Sequence, residues 1–588
     1  MTLHWLDYTS IVVFFVVTLG IGIAVAKKAG TNTLEFFASG RNMPWWLLGV
    51  SMVATTFSAD TPNLVTDIVR QQGVAGNWQW WAFLLTGMVT VFIYARLWRR
   101  SRILTDLEFY EMRYSGKAAA FLRGFRAIYL GLFFNVVIMA TVLLAAIKIA
   151  AVMLGMSAVT TVLIVSLVTV IYSSLGGLRA VLITDFIQFA IAMIGSVYAA
   201  IYIVNMPEIG GLSQLVGHSN VFDKLSLLPD FNDTELVLMI FIIPLTVQWW
   251  SVWYPGAEPG GGGYVAQRML AARDENHAVW ATLFFNFAHY ALRPWPWILV
   301  ALASLVVYPD LAAINAAFPA IDPALIKHDT AYSAMLIFLP AGALGVVLAS
   351  LIAAVMSTIS THLNWGASYL VNDFYRRFMN DNASEASLVK AGRLIIVILM
   401  LLSSVMALYL ENALQAFHIL LQIGAGTGLL FLLRWFWWRI NAASEIAAMI
   451  ISFVVALYFE FFHQAIGFAP LASWMKLVIG VGITTVGWLT ATLLTAPADI
   501  SVLQAFVRKV RPGGPGWKHI NADETLPDAS KQPGLARPVL AIFLGVTMVY
   551  SALFSTGFFL YGKSATALLS AFVFITAAGG LISMRRRL

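Results

Sequence analysis

Residues 353–378 read AAVMSTISTHLNWGASYLVNDFYRRF and follow a long apolar run, LPAGALGVVLASLI. The run places the stretch inside a membrane. Yet Ser357, Thr358, Ser360 and Thr361 crowd together there, and Asn364 follows. On a helix these hydroxyls occupy about one and a half turns. An unpaired polar group in hydrocarbon costs roughly 2–7 kcal/mol, so something polar must meet this face. A small hard cation, which oxygen ligands suit, is the sharpest candidate. The alternative is that the hydroxyls bond back to the carbonyls four residues earlier.

The rest of the chain agrees with a membrane setting. Of its 588 residues, 60% are hydrophobic and 11% charged, whereas soluble domains carry roughly 25% charged residues. Apolar runs long enough to span as helices recur about fifteen times, from 8–27 to 564–584. Most Lys and Arg fall on one set of alternating loops, including Lys27, Lys28, Arg41, the run from Arg96 to Arg126, Arg268, Arg273, Arg376, Arg377 and Arg585–Arg587. The opposite loops hold only Arg70, Lys224, Lys327, Lys476 and Lys563. This asymmetry predicts an inner (plasma) membrane protein with its N-terminus outside and its C-terminus in the cytoplasm. The net charge of +7 is thus a topology signal and does not point to nucleic acid. The first span has no basic n-region and reads as an uncleaved helix. The absence of cysteine excludes disulfides and thiolate metal sites. No soluble domain, H-E-x-x-H motif or nucleophile–base pair suggests an enzyme.

Two spans are interrupted, about two hundred residues apart. The first, SMVATTFSADTPNLVTDIV, crowds Ser51, Thr55, Thr56, Ser58, Asp60, Thr61 and Pro62 into its middle. Pro62 removes a backbone donor and disfavours helix at Thr61. The second ends QWWSVWYPGAEPGGGGY, where prolines and a glycine run prevent a regular helix. Broken helices at corresponding places in two halves point to a transporter site. The expected organisation is an extra helix and first cytoplasmic loop at 1–43, a first core repeat at 44–205, and an extracellular loop at 206–235. A second, inverted repeat follows at 236–434, then additional helices at 435–495, a cytoplasmic linker at 496–537 and trailing helices at 538–588.

At this point the residues resemble a known family. AAVMSTISTHLNWGASYLVNDFYRRF is similar to the signature of the sodium:solute symporter family, which includes sodium/glucose, sodium/proline and sodium/sialic acid transporters. SMVATTFSADT resembles its first core helix, SSLGGLRAVLITDFIQ its fifth, and YVAQRMLAARDENHA the loop after its sixth. The resemblance implies an all-α integral membrane protein with a LeuT-type five-plus-five inverted repeat. It also implies sodium (Na+) as coupling ion and alternating access. Carried over residue by residue, the family's sodium site falls on the carbonyls of Ala54, Phe57 and Ala354 and the hydroxyls of Ser357 and Thr358. Neutral oxygens suit a singly charged hard ion, since no carboxylate is there to favour a divalent one. Some members hold a second sodium, which here would use Asp185, Ser360 and Thr361. The alternative for Asp185 is a pair with Arg179 or water at the inner mouth, or a proton-linked or gating role.

The solute pocket draws on Asp60 and Thr61 after the first break, Gln79 on the next span, and Trp249, Trp250, Trp253 and Tyr254 around the second break. Arg293, beside His289, lies in FNFAHYALRPWPW, and His418 and Gln422 lie in AFHILLQIG. Aromatic plates with scattered donors suit a sugar, while Arg293 would suit a carboxylate. Interfacial belts account for most of the other tryptophans. The chain departs from the family at PGAEPGGGG, where Glu258 reads either as a gate charge or as a loop carboxylate. The expected function is sodium-driven symport of a polar organic solute, a sugar in preference. A proton-coupled or carboxylate/amino-acid symporter of the same fold is the alternative, followed by a transporter-like solute sensor.

Overall fold

The computed structural model describes residues 4–251, 259–319, 321, 323, 326–410, 424–520 and 536–584. Among these residues the regular secondary structure is helical, with one isolated parallel bridge between Met43 and Ala272. Eleven helices among the described residues are long and apolar enough to cross a membrane, and Trp45–Thr55 and Thr234–Thr246 are shorter apolar helices. The count differs from the expected fifteen runs for local reasons. The expected span at 44–70 is divided by its break, the span at 236–254 appears as the short helix Thr234–Thr246, and 416–423 of the span at 416–434 lies outside the described residues, its described part holding only the short helix Gly428–Leu433.

Two other expected spans, 157–174 and 180–205, follow one another within Ala158–Val204, a long helical run of 47 residues. Its length, about 70 Å of helix, is more than twice the roughly 30 Å hydrocarbon core. A kink at Gly177, whose φ of 53° and ψ of −157° are non-helical, separates its two helices. This conformation is almost exclusive to glycine. A Cβ there would also lie 2.6 Å from the Phe36 carbonyl oxygen. Gly177→Ala is therefore expected to destabilise the protein by about 1–3 kcal/mol, read as a lower thermal unfolding midpoint in detergent.

Burial separates the bundle into centre and rim. In Glu275–Val307 and Ala343–Met379, 83% of the most apolar window is buried, against 17% in Trp5–Val25 and Ser564–Met584. The rim helices turn Val12, Val16, Leu568 and Phe572 outward, where lipid is the solvent. The central helices carry polar side chains inward, as a membrane bundle requires of groups that cannot face hydrocarbon. The hydroxyl-bearing helix Ala343–Met379 packs against the long bent helix, the rim helix Trp5–Val25 and the first half-helix Trp45–Thr55. That arrangement brings the signature stretch to the first break.

Candidate functional site

The first break is built from its own hydroxyls and one proline. Helix Trp45–Thr55 ends as Thr55 Oγ1 donates to the Ser51 carbonyl at 2.8 Å and Thr56 Oγ1 to the Val53 carbonyl at 2.9 Å. Phe57 N donates to the Ala54 carbonyl at 3.0 Å. Helix resumes over Asp60–Gln72. Pro62 falls in the first turn of this second half, where its missing N–H would have had no intrahelical partner anyway. The gap at 56–59 is thus a stable interruption with carbonyls on its rim.

Across from the break stands the hydroxyl helix, with its side chains sorted by face. Thr358 Oγ1 donates to the Thr55 carbonyl at 2.9 Å, tying the helix to the break. Ser357 Oγ donates to Asp185 Oδ1 at 2.6 Å. Thr361, one turn later on nearly the same face, lies 3.0 Å from Thr55 Oγ1 and accepts from Arg268 Nη2 at 2.7 Å. Ser360 points elsewhere and donates to the Ser357 carbonyl at 3.0 Å.

Asp185 has a different partner from either alternative raised by the sequence. The Arg268 guanidinium lies 3.8 Å from Asp185 Oδ2, and both side chains are fully buried. Ser51 Oγ donates to the same oxygen and accepts from Arg268 Nε at 3.2 Å. Arg268 Nη1 donates to Gln267 Oε1 at 2.9 Å, and Gln267 reaches Asn364 Oδ1 at 2.9 Å. Arg268 was expected on a cytoplasmic loop. Instead it sits in the buried helix Gly263–Ala271, and its charge is compensated inside the bundle. It is the residue of the candidate site that sequence reasoning missed. The signal available was its position beside Gln267 in the apolar frame YVAQRMLAA.

The oxygens assigned to the first sodium fit such an ion. Ala54, Phe57, Ala354, Ser357 and Thr358 are each at most 4% exposed. The hydroxyl protons of Ser357 and Thr358 are both engaged by acceptors, which leaves oxygen lone pairs for a cation. Asp185, Ser360 and Thr361 do not fit a second sodium in this arrangement. The carboxylate is already held by Ser51, Ser357 and Arg268, and the arginine charge stands where a second cation would be attracted. Ser360 makes no contact with Asp185 among the hydrogen bonds of the structure; it is Ser357 that reaches it.

On the solute side, Arg293 lies against the same break. Its Nη1 donates to the Val53 carbonyl and to Thr56 Oγ1, both at 3.2 Å, and Nη2 meets His289. The guanidinium stacks 5.4 Å from the Trp297 ring centre. Arg293 Nε and Asp60 Oδ1 are buried without a hydrogen-bond partner. Thr61 Oγ1 donates to the Thr56 carbonyl at 3.4 Å. The structure therefore gathers Asp60, Thr61 and Arg293 around one break. The geometry of Arg293 follows from its neighbours: Pro294 and Pro296 supply no N–H, and the Arg293 N–H bonds to Ala288, five residues back. Gln79 is tied instead to the second break. Its carbonyl accepts from Gln248 Nε2 at 2.6 Å, and the Trp249 carbonyl accepts from Thr86. Trp250 Nε1 bonds to its own helix at Thr246. Between the two breaks, Thr86, Thr90, Tyr264, Asn286, His289 and Tyr290 line a cavity of about 60 Å³, room for about two waters. Trp253, Tyr254, Glu258, His418 and Gln422 lie outside the described residues.

Known proteins resemble this chain in sequence and fold. The model of the sodium:solute symporter family matches residues 36–452. The sodium/glucose cotransporter of Vibrio parahaemolyticus is 25% identical over 519 residues, covering 85% of this chain and 94% of that protein. The sodium/mannose cotransporter of Bos taurus is 25% identical over 496 residues, covering 78% and 80%. The sodium/sialic acid symporter of Proteus mirabilis (strain HI4320) is 25% identical over 481 residues, covering 78% and 90%. The solved structure of a Na+-coupled sialic acid symporter in a substrate-bound outward-open state superposes with a TM-score of 0.67 at 22% identity, over 84% of this chain and 99% of that one. The fold is accordingly the LeuT-type helical bundle that the motifs implied. A multi-pass membrane protein that couples sodium to the movement of a small solute, this chain belongs to the sodium:solute symporter family.

Proposed function

We propose that the protein carries a polar organic solute, a sugar in preference, into the cell across the plasma membrane together with sodium, and that it catalyses no covalent chemistry. The ion is held by the Ala54, Phe57 and Ala354 carbonyls and the Ser357 and Thr358 hydroxyls. The observation that carries this reading is the 2.9 Å bond from Thr358 to the Thr55 carbonyl, which joins the hydroxyl helix to the broken helix. An ion bridging the same two elements would stabilise the arrangement in which they are close. Loss of that ion to the cytoplasm would release the two elements and, with them, the solute. Each inward charge crossing about 100 mV contributes about 2.3 kcal/mol to accumulation. Because Arg268 compensates Asp185, we assign one sodium to the cycle and route no step through a second. The loop charge asymmetry supports an outside N-terminus and a cytoplasmic C-terminus. The repeat boundaries at 44–205 and 236–434 follow from the two breaks.

The solute lies between the breaks, against Asp60, Thr61 and Arg293 on one side and Gln79, Trp249 and Trp250 on the other; Trp253, Tyr254, His418 and Gln422 remain candidates from the sequence alone. The glucose, mannose and sialic acid named for the relatives support a hydroxyl-rich solute. Arg293, with its free buried Nε, favours a carboxylate-bearing sugar as the second reading. A thermal-shift screen of neutral sugars, sugar acids and amino acids decides between them. Stabilisation by one of the sugar classes that requires sodium over choline is the expected result. Sodium-independent stabilisation, or a response to amino acids alone, contradicts the reading.

A further inference from the structure

We propose that Asp7, on the rim helix Trp5–Val25, is a positioning residue for the sodium site: its carboxylate caps the N-terminus of the hydroxyl helix and fixes where that helix stands relative to the first break. The inference rests on the sodium reading given above.

The hydroxyl helix begins without a cap of its own. Its N-cap is Gly342, with φ of 86° and no side chain to accept from the first-turn N–H groups. Those groups have no intrahelical partner, and in a membrane protein they cannot simply be left facing apolar side chains. Asp7 supplies the acceptor from another helix. Its Oδ1 accepts from Gly342 N and Gly345 N, both at 2.7 Å, and its Oδ2 accepts from His4 N at 2.9 Å. The side chain is 1% exposed. A carboxylate bound to N–H groups at a helix N-terminus gains both charge-assisted hydrogen bonds and the helix dipole.

Gly345 makes the approach possible. A Cβ on it would lie 2.2 Å from Asp7 Cα, so the backbone of the rim helix is in direct contact with the first turn. The hydroxyl helix is thus held at two places. At its start it is held by Asp7. About 18 Å further along, Ser357 and Thr358 hold it against Asp185 and Thr55. A helix is stiff over this length, so slackening the first tether shifts the Ala354 carbonyl and the two hydroxyls against the carbonyls of the break. The rim helix, which contributes no oxygen to the ion, acts on the site through this contact.

The test is a sodium titration of thermal stability on the purified full-length protein, with choline holding ionic strength constant; it needs no knowledge of the solute. Asp7→Asn keeps an acceptor oxygen but removes the charge, Asp7→Ala removes both, and Gly345→Ala pushes the two backbones apart while leaving the carboxylate. The expected result is a rise in half-saturating sodium of about three- to tenfold for Asp7→Ala and less for Asp7→Asn, the span of a lost cap. Asp7→Asn and Gly345→Ala keep the test decisive if Asp7→Ala does not fold. A lower unfolding temperature with half-saturating sodium unchanged in all folded variants means that Asp7 serves stability alone and overturns the proposal. Failure of the underlying sodium reading shows differently, as no sodium response in the unsubstituted protein.

Discussion

Replacing Ser357 and Thr358 together by alanine is expected to abolish sodium-stimulated uptake while leaving membrane insertion and abundance intact. The two hydroxyls are two of the five oxygens assigned to the ion. They also tie the hydroxyl helix to Asp185 and to the first break, where Thr361 adds a contact with Thr55. A tenfold loss of sodium affinity corresponds to only about 1.4 kcal/mol. Losing two of five ligands should exceed that several times over. The structural cost is smaller. Each removed hydroxyl leaves one acceptor short of a hydrogen bond whose net worth is about 0.5–1.5 kcal/mol. Single changes refine the expectation. Thr358→Ser keeps the oxygen and should retain coupling, whereas Thr358→Val keeps the shape and should lose it. Sodium stimulation that survives the double substitution would remove this site from the account.

Arg268→Ala is expected to be the most destabilising single substitution discussed, by about 3–5 kcal/mol, because it strands a buried carboxylate. Asp185, Ser51 and Thr361 all direct polar atoms at the guanidinium, and both Arg268 and Asp185 are fully buried. The cost belongs to the unpaired charge and not to the pair as such. Neutralising both partners, in Asp185→Asn with Arg268→Gln, should therefore recover much of the loss. Unfolding midpoints of Asp185→Asn, Arg268→Gln and the double variant make a thermodynamic cycle that checks this. If Arg268→Ala unfolds at the temperature of the unsubstituted protein, Asp185 is not held by Arg268, and a second cation at Asp185 returns to consideration.

How much of this was legible in the sequence depends on the residue. Pro62 among clustered hydroxyls pointed to a break but misplaced it: helix has already resumed at Thr61, with Pro62 accommodated in the first turn, and the interruption falls at 56–59. The hydroxyl cluster could be placed in a membrane by its apolar flank alone. Its division between partners was less well read. Ser357 and Thr361 were separated, one to each ion, by following motif positions. On a helix they lie about 40° apart and meet the same Asp185–Arg268 pair. Ser360, only about 60° from Ser357, is not separated from it by periodicity; its bond to the Ser357 carbonyl is what sets it apart. Asp185 was conspicuous because carboxylates are costly inside a bilayer. Its partner was hidden because Arg268 also satisfies the loop-charge rule, and a charge near a span end reads equally well as cytoplasmic or buried. The cap by Asp7 could not have been found from sequence at all. It joins residues more than three hundred positions apart, and nothing in either segment names the other. Likewise, the kink at Gly177 between the two helices of Ala158–Val204 carries no mark in the sequence, because glycine is common in membrane helices whatever its backbone angles.

The central claim, that inward sodium movement drives solute accumulation, is tested most directly in proteoliposomes holding the purified protein. The solute is the one selected by the sodium-dependent thermal-shift screen, and the lumen is held electrically negative. With an inward sodium gradient the account predicts transient accumulation above the external concentration, and with choline in place of sodium only equilibration or no entry. Equal uptake in sodium and choline, or accumulation that follows an imposed proton gradient without sodium, would contradict it.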